Sequence, residues 1–170
     1  MTAVLRLGPA LALLVCLPAC ASKGAVPRPF PPGAPPPANV QTLPPLAEGG
    51  RTALLETALS YRGVPYRNGG SDPTGFDCSG FVQWVFAQQG LRLPREVRDQ
   101  YQAGSTVDRD GVQPGDLVFF ETVSHGASHV GIALDGSRFV HAPSSRGVVR
   151  VESYLADYWK QRYVGARRMQ

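Results

Sequence analysis

The tract "SKGAVPRPFPPGAPPPANVQTLPPLAEGG", positions 22–50, limits where this chain can build a core: it carries nine of the chain's 16 prolines. Proline fixes φ and removes a backbone donor, so neither a helix nor a sheet ladder runs through such a stretch. Its apolar residues show no period. The expectation is an extended, polyproline-like tether without a core of its own. The remainder, residues 51–170, is about 120 residues long, enough for one domain with a single core.

Ahead of the tract stands "MTAVLRLGPALALLVCLPAC". Arg6 precedes an apolar run from Leu7 to Ala19. That run is shorter than the roughly 20 residues a membrane-spanning helix needs. It fits the core of a signal peptide instead. Its end, "LPAC", resembles the lipobox of bacterial lipoproteins. The resemblance implies a signal peptide over 1–19, cleavage before Cys20, and acylation of the Cys20 thiol. Cys16 is a poor rival, because bulky Val15 precedes it. Two or more acyl chains hold a protein stably on a membrane, where one is marginal. By this reading residues 20–50 are a lipidated cysteine and its linker. Ala21 is not acidic, which by resemblance to lipoproteins of two-membrane bacteria permits sorting to the periplasmic face of the outer membrane.

Of the chain's three cysteines, Cys78 alone then stays free, and no internal disulfide is expected. That is unusual for an oxidising envelope compartment. The formal net charge of +4 is mild. There is no basic run of the kind that grips nucleic acid, so nucleic acid is set aside as a partner. An anionic wall polymer suits the weak positive balance without being required by it. No internal repeat is present. A monomer is expected, with an adaptor or a regulatory protease left open.

The domain opens with helical spacing. "RTALLETALSYRG" places Leu54, Leu55, Ala58 and Leu59 on one face, with Gly63 as the stop. "VPYRNGGSDPTGFD" reads as a loop. "CSGFVQWVFAQQ" predicts a helix over Cys78–Gln89 with Phe81, Val82, Val85 and Phe86 buried and Gly90 beyond its end. "PREVRDQYQAG" predicts another short helix. The period then changes to two. "GDLVFFE", "HVGIAL", "RFVHA" and "VVRVES" read as successive strands. "SYLADYWK" predicts a helical turn and "RYVGARRM" a closing strand. Helices first and an antiparallel meander afterwards define an α+β domain.

Cys78 falls at a helix start, where backbone N–H groups are unpaired and the macrodipole favours negative charge. Such a site lowers a thiol's pKa, and the same N–H groups can hold an oxyanion. The bland alternative is a small buried hydrophobe. Ser79 and Gly80 are small and leave room for a substrate. Asp77 reads as the helix cap. A base must come from His125, His129 or His141. His129 opens a strand whose Val130, Ile132 and Leu134 share one face. His129 therefore points the other way, with small Gly131 and Ala133, onto an open surface. A three-residue turn at Asp135–Ser137 sets His141 on the face of His129; a two-residue turn flips it. His125 in "SHGASH" reads as a loop residue. The Cys/His spacing lacks the close pairs that announce a zinc site. No metal or other cofactor is expected.

Together "GVPYRNGGSDPTGFDCSGFVQWVF", "QPGDLVFFE", "SHVGIALDGSRFVHAPSSRGV" and "YWKQRYVGARRM" resemble the NlpC/P60 family of cell-wall cysteine peptidases. The resemblance implies a papain-like α+β fold, with a nucleophile-bearing helix packed on an antiparallel sheet. It implies Cys78 as nucleophile, His129 as base and His141 as the orienting third residue. Tyr66 and Ser79 fall beside the nucleophile, where they can bind the carbonyl oxygen or substrate. The implied substrates are peptidoglycan stem peptides, cut at D-Ala–diaminopimelate cross-links or at D-Glu–diaminopimelate bonds. Two alternatives from other classes are an inactive envelope lipoprotein that binds wall peptides, and an acyltransferase or amidase on a related fold.

Overall fold

The structure, a computed structural model, describes residues 48–144 and 147–169. The expected signal peptide, Cys16, Cys20 and the proline tract up to residue 47 lie outside these. Among the described residues no helix is long and apolar enough to cross a membrane.

Helix α1 (Glu48–Ser60) begins the domain. Leu54 and Ala58 are buried and Leu55 partly so, but Leu59 is 37% exposed. The buried stripe is therefore narrower than the spacing suggested. Gly63 follows at φ +91°, a left-handed conformation that suits a residue without Cβ. The loop that comes next contains a short hairpin, β1 (Ser71–Asp72) and β2 (Gly75–Phe76).

Helix α2 (Cys78–Gln88) is the central element, with every side chain from Ser79 to Phe86 buried. Its C-terminus closes with two bonds, Gly90 N–H to the Ala87 carbonyl and Leu91 N–H to the Phe86 carbonyl. Gly90 sits at φ +76°, the left-handed residue such a closure uses. Helix α3 (Val97–Gln102) follows and is tied back through Gln100. The Gln100 amide donates to the carbonyls of Ser79 and Pro94, so α3 braces the first turn of α2.

The remaining strands are β3 (Ser105–Val107), β4 (Leu117–Phe120), β5 (His129–Ala133), β6 (Arg138–His141), β7 (Arg150–Ser153) and β8 (Tyr163–Arg168). They form one antiparallel sheet in the order β3-β8-β4-β5-β6-β7. The meander β4 to β7 is the expected one. The closing strand returns to lie between β3 and β4. The hairpin β1–β2 and strand β3 had no visible signal, being too short to show a period.

The sheet separates two cores. On one face α1 and α2 pack over Leu117, Phe119, Val130, Ile132 and Val140. On the other, Val118, Phe120, Ala133 and Phe139 meet Tyr154 and Trp159. Trp159 comes from α4 (Asp157–Lys160). This second core overturns one expectation: the face carrying His129, Gly131 and Ala133 is covered. The small residues there make room for neighbouring rings. A Cβ on Gly131 would meet Phe139 at 2.6 Å.

Candidate active site

The Asp135–Ser137 turn has three residues, because Leu134 N–H bonds the Arg138 carbonyl. Ile132 then pairs with Val140, and Ala133 with Phe139. His141 therefore shares the face of His129, as a three-residue turn requires. Nε2 of His129 lies 2.8 Å from Nδ1 of His141. Both rings are buried, at 3% and 0% exposure.

Aromatic rings hold the pair. The Trp159 indole stacks on His129, centroids 5.4 Å apart and planes 25° from parallel. The same indole stands edge-on to His141, and Phe139 stacks on the other side of that ring at 4.5 Å. Sequence reasoning missed Trp159, because the "YWK" turn carries no sign of where it packs.

Cys78 is the first residue of α2 and is partly exposed. Its sulfur faces the backbone N–H groups of Val130 and Ser79. Val130 directly follows His129 in β5, so the packing of α2 on β5 brings the thiol to the strand end that carries the histidine. Asp77 caps the helix, accepting from Gly80 N–H at 2.7 Å. The helical ladder begins with Phe81 N–H on the Asp77 carbonyl. The N–H groups of Cys78 and Ser79 thus lie ahead of the ladder, and that of Ser79 faces the sulfur.

Three placements refine the reading of the "DCSG" stretch. The Ser79 hydroxyl is turned inward, where it accepts from Arg95 Nη1 at 2.7 Å. Its backbone N–H, rather than its hydroxyl, faces the Cys78 sulfur. Arg95 also pairs with Asp77, so a compact Asp77–Arg95–Ser79 cluster supports the nucleophile turn from behind. Gly80 does not open space for a substrate. A Cβ there would stand 2.0 Å from the Gly70 carbonyl oxygen, so its smallness lets the preceding loop close on α2.

Tyr66 is half-buried, and its backbone N–H bonds the Gly147 carbonyl at 2.8 Å. Burial raises the pKa of its hydroxyl, and the nearby Cys78 and Asp77 raise it further. His125 is remote from this cluster. It is fully exposed on the loop after β4, with Nδ1 at 3.3 Å from Glu121.

The resting electrostatics run against the sequence expectation for the thiol. Burial pushes Cys78 up from its ordinary 9.0 to about 11, and the Asp77 carboxylate adds to this. The Val130 and Ser79 N–H groups and Arg95 pull the other way without reversing it. Burial also lowers His129 to about 3, helped by repulsion from His141. His141 is lowered too, mainly by burial. Burial thus favours the neutral form of the thiol and of both imidazoles, because desolvation outweighs the helix terminus.

A cleft of about 550 Å³ opens beside His129 and is lined also by Arg150, Glu152, Tyr158, Trp159 and Val123. A larger depression, of about 700 Å³, lies between residues 121–125 and 161–164 and contains none of Cys78, His129 or His141. Among the described residues no group of three acidic, histidine or cysteine side chains could hold a metal ion. A thiol at a helix start, with a histidine pair at the facing strand end, has the components of acyl transfer through sulfur.

Comparison with known proteins agrees with this architecture. The NlpC/P60 family matches residues 63–168. The murein DD-endopeptidase/LD-carboxypeptidase MepS of Escherichia coli is 44% identical over 120 residues, 70% of this chain and 63% of MepS. The probable endopeptidase NlpC of Escherichia coli is 44% identical over 118 residues, 68% of this chain and 76% of NlpC. A lipoprotein-like NLP/P60 protein from Staphylococcus aureus superposes with TM-score 0.66 at 36% identity, over 76% of this chain and 44% of that one. The chain belongs to the NlpC/P60 family. Its match spans a little under two thirds of MepS.

Proposed function

We propose that this protein is a thiol peptidase that cuts peptidoglycan stem peptides. The observation that carries the reading is the buried His129–His141 bond at the start of β5, with the Cys78 sulfur against the backbone N–H of Val130, the next residue of that strand. The family match and the murein endopeptidase names of its relatives support it.

In this mechanism His129 takes the Cys78 proton while His141 orients it. The thiolate attacks the amide carbonyl. The N–H groups of Cys78 and Ser79, with the Tyr66 hydroxyl, hold the oxyanion. The amine leaves with the proton from His129, and water hydrolyses the thioester. With a neutral resting pair, the thiolate forms only once substrate is bound, in a site from which competing water has been expelled.

The bond we assign is the D-Ala–diaminopimelate cross-link, with D-Glu–diaminopimelate as the alternative. The DD-endopeptidase names of the MepS and MepH relatives favour the first. We further assign residues 1–19 as signal peptide, Cys20 as the lipid anchor, 20–50 as tether and 51–170 as the catalytic domain. A membrane-bound enzyme on a tether gains effective concentration at the wall. The location that follows is the bacterial envelope, at the periplasmic face of the outer membrane.

Incubation of the protein with a defined cross-linked muropeptide dimer, followed by mass analysis, tests this. Conversion of dimer to monomers, lost in a folded Cys78→Ala protein, is the expected result. An intact dimer with active-site binding but no turnover overturns it.

A further inference from the structure

Strand β7 runs antiparallel to β6 with His141 opposite Arg150 and Phe139 opposite Glu152. Arg150 and Glu152 therefore project onto the face of the histidine pair. Glu152 is only half-buried, yet both its oxygens are engaged. The Arg150 Nε–H donates to Oε1 and the Trp159 indole N–H donates to Oε2. Trp159 is also the ring stacked on His129. The carboxylate is thus fixed by the same indole that fixes the base.

His141 is wholly buried, and its Nε2 has no hydrogen-bond partner. That nitrogen points at Glu152, with Oε1 3.7 Å away. The distance is beyond a hydrogen bond, and closing it by less than an ångström makes a charge-assisted one. A carboxylate is an acceptor only. Facing it, His141 must carry its proton on Nε2, which leaves Nδ1 as a lone pair. That lone pair, 2.8 Å from His129 Nε2, can only accept. His129 then carries its proton on Nε2 and keeps the Nδ1 lone pair free.

We propose that Glu152 is a positioning residue that sets the tautomers of both histidines and so presents the His129 Nδ1 lone pair as the base. The inference rests on the thiol-peptidase reading for its consequence, though not for its geometry. In the step it serves, the Cys78 S–H bond breaks and an Nδ1–H bond forms on His129. Sulfur keeps the electron pair as thiolate. His129 retains its Nε2–H, and its new positive charge is stabilised through His141 by the Glu152 carboxylate. The charged groups facing the pair from β7 are Glu152 and Arg150. From the α2 side come the Cys78 thiol and, behind it, the Asp77–Arg95 pair. From α4 comes the uncharged Trp159.

Nitrogen-15 labelling of the histidines tests this directly, because the ring shifts report which nitrogen carries the proton. At pH 7 the unaltered protein is expected to show Nε2–H in both rings. In Glu152→Gln an Nδ1–H form of His141 appears and kcat on the muropeptide dimer falls about tenfold, because much of the protein then holds the base in the wrong tautomer. The acid limb of kcat/KM moves to lower pH, because removing the negative charge makes the pair harder to protonate. Glu152→Asp keeps the charge and restores the limb. An Nδ1–H on His141 in the unaltered protein overturns the proposal, and that measurement needs neither variant nor substrate. Unchanged tautomers and an unchanged limb in folded Glu152→Gln overturn it as well. Correct tautomers without dimer cleavage would instead count against the peptidase reading.

Discussion

Nε2 of His129 sits 2.8 Å from Nδ1 of His141, and this bond commits one nitrogen of each ring to the other. The base therefore has one nitrogen left for chemistry. Replacing His141 by Ala frees the ring to rotate and to take the wrong tautomer. The expected loss in kcat is about 10² to 10⁴-fold, with KM changed little, by the logic of orienting residues in catalytic triads. His141→Asn supplies an amide oxygen that can accept from His129 Nε2–H. It should recover part of that loss. Steady-state kinetics on the cross-linked dimer separate the two variants.

Arg95 links Asp77 to the Ser79 hydroxyl behind the nucleophile turn. Arg95→Leu leaves the nearly buried Asp77 carboxylate without its cation. Breaking a fully buried pair costs about 3–5 kcal/mol. Arg95 is about one third exposed, so a loss of about 1–2 kcal/mol in urea unfolding is expected after allowing for solvent screening. Arg95 also lowers the Cys78 pKa while Asp77 raises it. Its removal should slow iodoacetamide alkylation of Cys78 at pH 8. An unchanged alkylation rate would show that the guanidinium does not act on the sulfur.

The halves of this site differ in how well they can be read from the chain. Cys78 at a helix start follows from Asp77 as cap and the apolar stripe after it, both local features. The shared face of His129 and His141 depended on one turn length, and a single residue more or less would have parted them. Glu152 and Trp159 belong to a strand and a helical turn that approach from residues 150–160. Their approach is decided by the β6–β7 register and by packing over Phe120 and Phe139, which no local period encodes. The burial of the His129 face was misread for the same reason: Gly131 and Ala133 look like open surface until the covering rings are placed. The lowered thiol pKa was a sound reading of a helix terminus, overridden by desolvation that only the packed structure reveals.

Gly80 illustrates a small residue whose purpose is backbone approach. The Gly70 carbonyl accepts from Asp77 N–H at 3.0 Å and lies where a Gly80 Cβ would have to go. Gly80→Ala must push the 67–76 loop off the start of α2. Overpacking of this kind costs about 1–3 kcal/mol. Because Tyr66 directly precedes this loop and bridges to Phe76 at its end, the variant should lose activity at temperatures where it is still folded. A thermal melt and a rate measured below its midpoint test both parts. An unchanged melting temperature would mean the loop yields freely.

The pH dependence of stability should show a plateau with two falling sides, each traceable to this site. Histidines in the unfolded chain take up protons near pH 6.5. Folded His129 resists protonation until about pH 3, because it is buried against His141. Between those values the unfolded state binds more protons, so stability falls as acid is added, by on the order of 3 kcal/mol down to pH 4. Glu152 is held at about 2 by His141, Trp159 and Arg150. Its contribution begins to fade only as pH drops through the ordinary carboxylate range, near 4.5. On the alkaline side the unfolded Cys78 loses its proton near 9.0, whereas the folded thiol keeps it to about 11. The folded state then binds more protons, and stability declines as pH rises above 9. Urea unfolding at pH 4.5, 7, 8.5 and 10 should trace this shape. Cys78→Ala should flatten the change from 8.5 to 10, and the paired His129→Gln/His141→Gln change should flatten that from 7 to 4.5. An alkaline decline of equal slope in Cys78→Ala would place its source elsewhere, in tyrosines such as Tyr163, whose hydroxyl burial raises to about 12.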